Sequence, residues 1–284
     1  MTSAPPAESS LVFNVVWAGT VVTQLRPFVE SQLAHTEARF RFVLNACPAP
    51  EVARIEALAA DHPDRVVEVL EVSAVDMISH GAALDRVRAR RDDGAHFCLI
   101  DSDIRADRPF LSGVVELLAA GCVGVAGGRG VWCRSDVVPE GHVGVNGEYF
   151  FDRSGFFFGS PHFAEFRRDP LEETADRWGV GFGSAGPDLD EAATARLAEA
   201  GHRYWLWDTG KLLTTFLQLD GHRVAHHEPP GLLHIGGMSH YLSPPELDET
   251  KIAQLGKVDR TTWNADRLEV AGFSAAVLSA AVAG

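Results

Sequence analysis

The sequence predicts an α/β domain with a mixed, mostly parallel sheet flanked by helices. Short apolar runs alternate with segments of helical apolar spacing through the first half of the chain, the pattern of successive βαβ units. Turn residues separate them. Two aspartates follow directly on the fourth apolar run, at the sheet edge where open parallel sheets bind ligands.

Leu11 to Val16 is the first run, ended by Gly19, and Leu25 to Ala34 then has helical spacing with Pro27 tolerable in its first turn. Phe40 to Leu44 predicts the second strand, closed by Asn45 and Pro48, and Glu51 to Ala60 the Ala/Leu-rich helix after it. Val66 to Val72 supplies a third strand and Ala82 to Arg91 a helix, which Asp92-Asp93-Gly94 ends before the fourth strand, Phe97 to Ile100. Beyond it, Val114 to Ala119 reads as a helix and Val123 to Ala126 as a small strand. Gly127 to Gly159 mixes Gly, Arg and aromatics without periodicity, a functional loop with short strands. Gly179 to Pro187, with four glycines, predicts a mobile connection. Leu189 to Ala200 and Gly210 to Leu219 read as helices, and Arg223 to Ala225 begins a late strand.

A chain of 284 residues, 46% hydrophobic and 23% charged, can bury the core of one large domain. Residues 1–10 read as a disordered polar tail, without the basic and apolar regions of a signal peptide. The net charge of −14 argues against a broad nucleic-acid footprint. The longest apolar stretch, Ala275 to Gly284, falls short of the about 20 residues a membrane span needs. Cysteines at 47, 98, 122 and 133 lack metal-like spacing, and reduced buried thiols fit a cytoplasmic protein.

The chemistry-bearing signal is Leu99-Ile100-Asp101-Ser102-Asp103. Alternation in an extended segment puts both carboxylates on one side, and paired hard oxygens suit Mg²⁺ or Mn²⁺. The competing reading is a solvated Asp-x-Asp turn, which the position after a strand disfavours. His222 to His240 holds five of the twelve histidines. His234 stands out, because it follows a Pro-Pro-Gly turn and a Leu-Leu pair, and His240 is second; imidazole can complete a site begun by a carboxylate.

Over most of residues 11–240 the order of these pieces resembles the GT-A (Rossmann-like) glycosyltransferases, especially their large family 2-like group. The pieces are Val12 to Val16, Phe42 to Asn45, His80-Gly81-Ala82-Ala83-Leu84-Asp85, the Asp101-Ser102-Asp103 D-x-D motif, Asp208 before Leu212-Leu213, and Asp220-Gly221-His222-Arg223-Val224. The resemblance implies that residues 11–126 form a nucleotide-sugar-binding half, residues 127–245 an acceptor-binding and catalytic half of the same domain, and residues 246–284 a helical C-terminal extension. It implies Mn²⁺ or Mg²⁺ held by Asp103 and His234, with Asp101 and Ser102 toward the donor. Thr20 and Asn45 would approach the nucleoside, Gly81 would allow close backbone approach to the donor, and Arg86 would reach a phosphate or else belong to a solvated helix face.

Asp208, among Trp205 and Trp207, would deprotonate the acceptor hydroxyl in an inverting reaction or cap the following helix, or do both. Trp207 stands where the family carries an acidic residue, and the family's Arg later in the helix is missing. Glu148 to Arg168 holds eight Phe or Tyr residues, with Tyr149, His162 and Glu165 as candidate acceptor contacts. The expected partners are therefore a nucleoside-diphosphate-sugar and a hydroxyl-bearing small molecule or envelope precursor, with a homodimer as an open possibility. Sugar-1-phosphate nucleotidyl transfer competes, although Ala18-Gly19-Thr20 is only a fragment of the long glycine-rich loop that chemistry uses. A catalytically silent binding protein is the third reading.

Overall fold

The computed structural model describes residues 5–19, 22–127, 129–130, 143–144, 150–151, 156–158, 162–184, 189–201 and 209–234. The chain runs β1 (Val12–Ala18), α1 (Val22–Ala34), β2 (Arg39–Asn45), α2 (Ala49–Asp61), β3 (Val66–Ser73), α3 (His80–Arg88), β4 (His96–Ile100), β5 (Ile104–Ala106) and α4 (Ser112–Ala119). After these come β6 (Gly124–Gly127), β7 (Arg129–Gly130), β8 (Val143–Gly144), β9 (Phe150–Phe151), β10 (Phe157–Phe158), β11 (Phe163–Arg167) and α5 (Arg168–Trp178). The last are α6 (Glu191–Glu199), α7 (Lys211–Leu219), β12 (Val224–His227) and β13 (Leu232–His234).

The main sheet has the order β12-β6-β11-β4-β1-β2-β3, parallel except for β11, which runs antiparallel to both neighbours. Strand alternation divides its side chains between two apolar layers. Phe13, Val15, Trp17, Phe40, Phe42, Cys98, Ile100 and Val125 join one layer with α1, α2 and α4. Val16, Val43, Phe97, Leu99, Ala126 and Phe166 join the other with α3, α5, α6 and α7. A sheet covered on both faces explains why its inner strands β1 and β4 read as near-continuous apolar runs.

Helix boundaries follow from their caps. The Ser79 hydroxyl accepts from the Ala82 N–H at 3.2 Å, and Asp190 accepts from Ala193 at 2.7 Å, so α3 and α6 begin one residue later. Helix α1 starts earlier than expected, which puts Pro27 inside it rather than in its first turn. The expected mobile connection after α5 is anchored over residues 180–184. Phe182 is fully buried, and the Asp85 carboxylate accepts from the backbone N–H groups of Phe182 and Gly183 at 2.9 and 2.8 Å.

At the amino edge of the parallel strands, Arg41 pairs with Glu68 and Asp92 at 2.8 and 2.9 Å and with the fully buried side chain of Asp93. Asn14 and Arg168 also reach Asp93, at 3.2 and 3.3 Å. This network joins β1, β2 and α5 to the loop that feeds β4, and so helps fix the strand that carries the aspartate pair.

Candidate metal and donor site

Strand β4 ends at Ile100, and Asp101 begins the turn into β5, closed by the Ile104 N–H on the Asp101 carbonyl at 3.3 Å. Two contacts hold the turn. The Asp101 N–H donates to the His162 carbonyl at 2.8 Å, and the fully buried Gln32 of α1 donates its amide to the carbonyls of Asp101 and Ile104 at 2.9 and 2.8 Å. The aspartate pair is thus a braced turn over the core, with Ser102 and Asp103 themselves buried.

His234 arrives from far along the chain. Leu232 donates to the Pro229 carbonyl at 3.1 Å, closing a turn with Pro230 and Gly231 at its centre. Gly231 has φ +82°, a conformation that favours glycine, and a β-carbon there would also crowd the side chains of Asp107 and Arg108. The turn sends β13 antiparallel along β5, with His234 opposite Ile104 and therefore beside Asp103. His234 Nε2 lies 3.3 Å from Asp103 Oδ1 and 3.6 Å from Asp101 Oδ2. One ligand atom from each of the three residues falls within 4.8 Å of the others. Two carboxylates and an imidazole at that spacing are a fitting donor set for a divalent cation such as Mn²⁺.

Two further imidazoles border the triad. His80, the first residue of α3, places Nε2 3.5 Å from Asp101 Oδ1, and the His162 ring stacks on His234 with centroids 3.9 Å apart. Sequence reading passed over His80 and Gln32 as site residues; only contact across the fold reveals them.

Other expected residues make contacts of their own. Glu165, expected as an acceptor contact, pairs with Cys98 and Val125 in mid-sheet and is fully buried, and among the described residues both of its carboxylate oxygens lack a hydrogen bond. Burial raises its pKa to about 8. Asn45 spends its amide on Ile78, donating to its carbonyl at 2.7 Å and accepting from its N–H at 3.0 Å, so it pins the β3–α3 loop. Gly81 does permit a close backbone approach, but to the protein itself: an added β-carbon would lie 2.5 Å from the Phe182 carbonyl carbon and 2.6 Å from Gly183 Cα. Arg86 donates to the Val72 carbonyl. His226 lies on the outermost strand β12, 3.4 Å from Glu228, apart from the triad. Thr20, Tyr149, Asp208, His240 and the C-terminal segment lie outside the described residues.

Solved structures resemble this arrangement. Staphylococcus aureus TarS aligns over 91% of this chain and 43% of its own, at 12% identity and a TM-score of 0.50. The fold is of the GT-A type. Within the GT-A fold the aspartate turn occupies the carboxyl edge of β4, at the centre of the sheet. Two lower-scoring likenesses are the mannosyltransferase PcManGT from Pyrobaculum calidifontis, solved with GDP-Man and Mn²⁺ (15% identity, 96% of this chain, 75% of that one, TM-score 0.47), and an Anaerococcus prevotii 4-diphosphocytidyl-2C-methyl-D-erythritol synthase (8%, 77%, 87%, 0.43). No protein-family model and no curated protein matches the chain. Among the described residues, no helix is long and apolar enough to cross a membrane.

Proposed function

We propose that this chain is a divalent-metal-dependent glycosyltransferase that moves a sugar from a nucleoside-diphosphate-sugar to a hydroxyl-bearing acceptor. The supporting observation is the convergence of Asp101, Asp103 and His234 at the carboxyl edge of a GT-A sheet. Asp103 and His234, the more buried members, would hold Mn²⁺ or Mg²⁺. When bound, such an ion neutralises charge that grows on the departing diphosphate. Asp101 keeps a more open carboxylate, suited to accepting hydrogen bonds from donor hydroxyls, while Gln32 and the His162 carbonyl hold its backbone still.

Asp208 is assigned as the acceptor base from its place in the sequence just before α7. The start of that helix is tied down, since the Gly210 N–H donates to the Phe182 carbonyl at 2.8 Å and Phe182 packs on Gly81 beside His80. As acceptor base, Asp208 would take the acceptor proton as the oxygen attacks the anomeric carbon.

The test is incubation with a panel of nucleoside-diphosphate-sugars, hydroxyl acceptors and Mn²⁺, followed by mass spectrometry. Acceptor-dependent release of nucleoside diphosphate with a glycosylated product is expected. Pyrophosphate release from a nucleoside triphosphate and a sugar-1-phosphate would replace this reading with nucleotidyl transfer, and no turnover with any donor would point to a silent binding protein.

A further inference from the structure

We infer that His162 is a positioning residue whose ring fixes the plane of His234, an inference that rests on the metal reading above. His234 ends the three-residue strand β13, whose backbone pairing sets where its Cα lies but leaves the side-chain torsions to be chosen by packing. The His162 ring supplies that packing. It is 8% exposed and lies against the His234 ring at a centroid distance of 3.9 Å and an interplanar angle of 23°. In this orientation Nε2 of His234 faces both aspartates.

The platform is itself anchored. Phe163, the next residue, pairs with Ile100 in β11, and the His162 carbonyl accepts the Asp101 N–H. One residue therefore braces both sides of the donor set, its carbonyl holding the aspartate turn and its ring holding the imidazole. The two duties are separable, because a side-chain substitution removes the ring and leaves the carbonyl. Neighbours that orient a ligating histidine commonly govern metal affinity without touching the metal.

The test is titration of the full chain with MnCl₂ alone, following the electron paramagnetic resonance signal of free Mn²⁺. His162→Ala should weaken Mn²⁺ binding by about tenfold or more, whereas His162→Phe, which keeps a flat ring, should stay within about threefold of the parent. His162→Leu fills the space without a flat face and should behave like alanine, which covers an alanine variant that fails to fold. Parent-like affinity in His162→Ala or His162→Leu would overturn the inference. So would a phenylalanine variant as weak as these, since that would require a polar duty for the ring. If the parent binds Mn²⁺ no better than Asp103→Asn, the metal reading fails and this inference with it; a parent that binds tightly while the His162 variants are unchanged removes the positioning role alone.

Discussion

His234 Nε2 sits 3.3 Å from Asp103 Oδ1, joined by the β5–β13 pairing and not by sequence proximity. A donor set assembled across the fold should report its ligand through stability, because a ligand that binds only the native state raises it. Mn²⁺ with a nucleoside diphosphate should raise Tm in the parent chain. Asp103→Asn should abolish the Mn²⁺-dependent part, and His234→Ala should reduce it. Equal shifts in all three proteins would remove these residues from metal binding.

Glu165 predicts an unusual pH profile. Its folded-state pKa is raised from 4.5 to about 8 by burial. The folded protein therefore keeps a proton that the unfolded chain has released, so stability is lost as pH rises from about 4.5 through about 8 and then levels off. Glu165→Gln should remove that decline and be more stable than the parent at pH 8. Parallel Tm curves for the two proteins between pH 5 and pH 8, set by about the range given by the pKa values, would contradict it.

The Arg41–Asp93 pair makes a prediction about stability. Removing Arg41 leaves the fully buried Asp93 side chain with less compensation, and Arg41→Met should cost about 3–5 kcal/mol in denaturant unfolding. Burial already raises the Asp93 pKa above its ordinary 3.8, and loss of Arg41 should raise it further, so the deficit should grow as pH increases above that value. Arg41→Met paired with Asp93→Leu should recover part of the loss. A single variant as stable as the parent would show the pair to be dispensable.

Gly81 separates packing from ligand approach. A β-carbon there meets the Phe182 and Gly183 backbones, which must shift, so Gly81→Ala should lower Tm by several degrees without any ligand present. An unchanged Tm with weakened donor binding would instead favour the donor-approach role.

Strands β1, β2 and β4 were legible because a sheet buried on both faces favours near-continuous apolar runs, and the edge strand β3 because Glu68 and Glu71 interrupt its run of Val and Leu only singly. The aspartate pair was legible because it follows such a run directly. Strand β11 was not: Phe-Ala-Glu-Phe-Arg carries Glu165 into the middle of the sheet, against the usual exclusion of carboxylates from cores. Helix α5 escaped notice as well, since Arg168, Asp169, Glu172, Glu173, Asp176 and Arg177 crowd it and its core contact rests on few residues, Leu171 and Ala175 among them. The resemblance pointed to His234, but the stacked ring of His162, the approach of His80 and the brace from Gln32 depend on contacts between distant segments, which no local pattern encodes.

Metal dependence of sugar transfer is the most direct test of the proposed function. Transfer from a competent nucleoside-diphosphate-sugar should stop in excess EDTA and return on addition of Mn²⁺ or Mg²⁺, while Asp103→Asn should stay nearly inactive at saturating metal, because the ion acts on charge that develops in the transition state. Full transfer in exhaustive chelator, or normal metal-dependent transfer by Asp103→Asn, would contradict the assignment of Asp103 and His234 as the metal ligands.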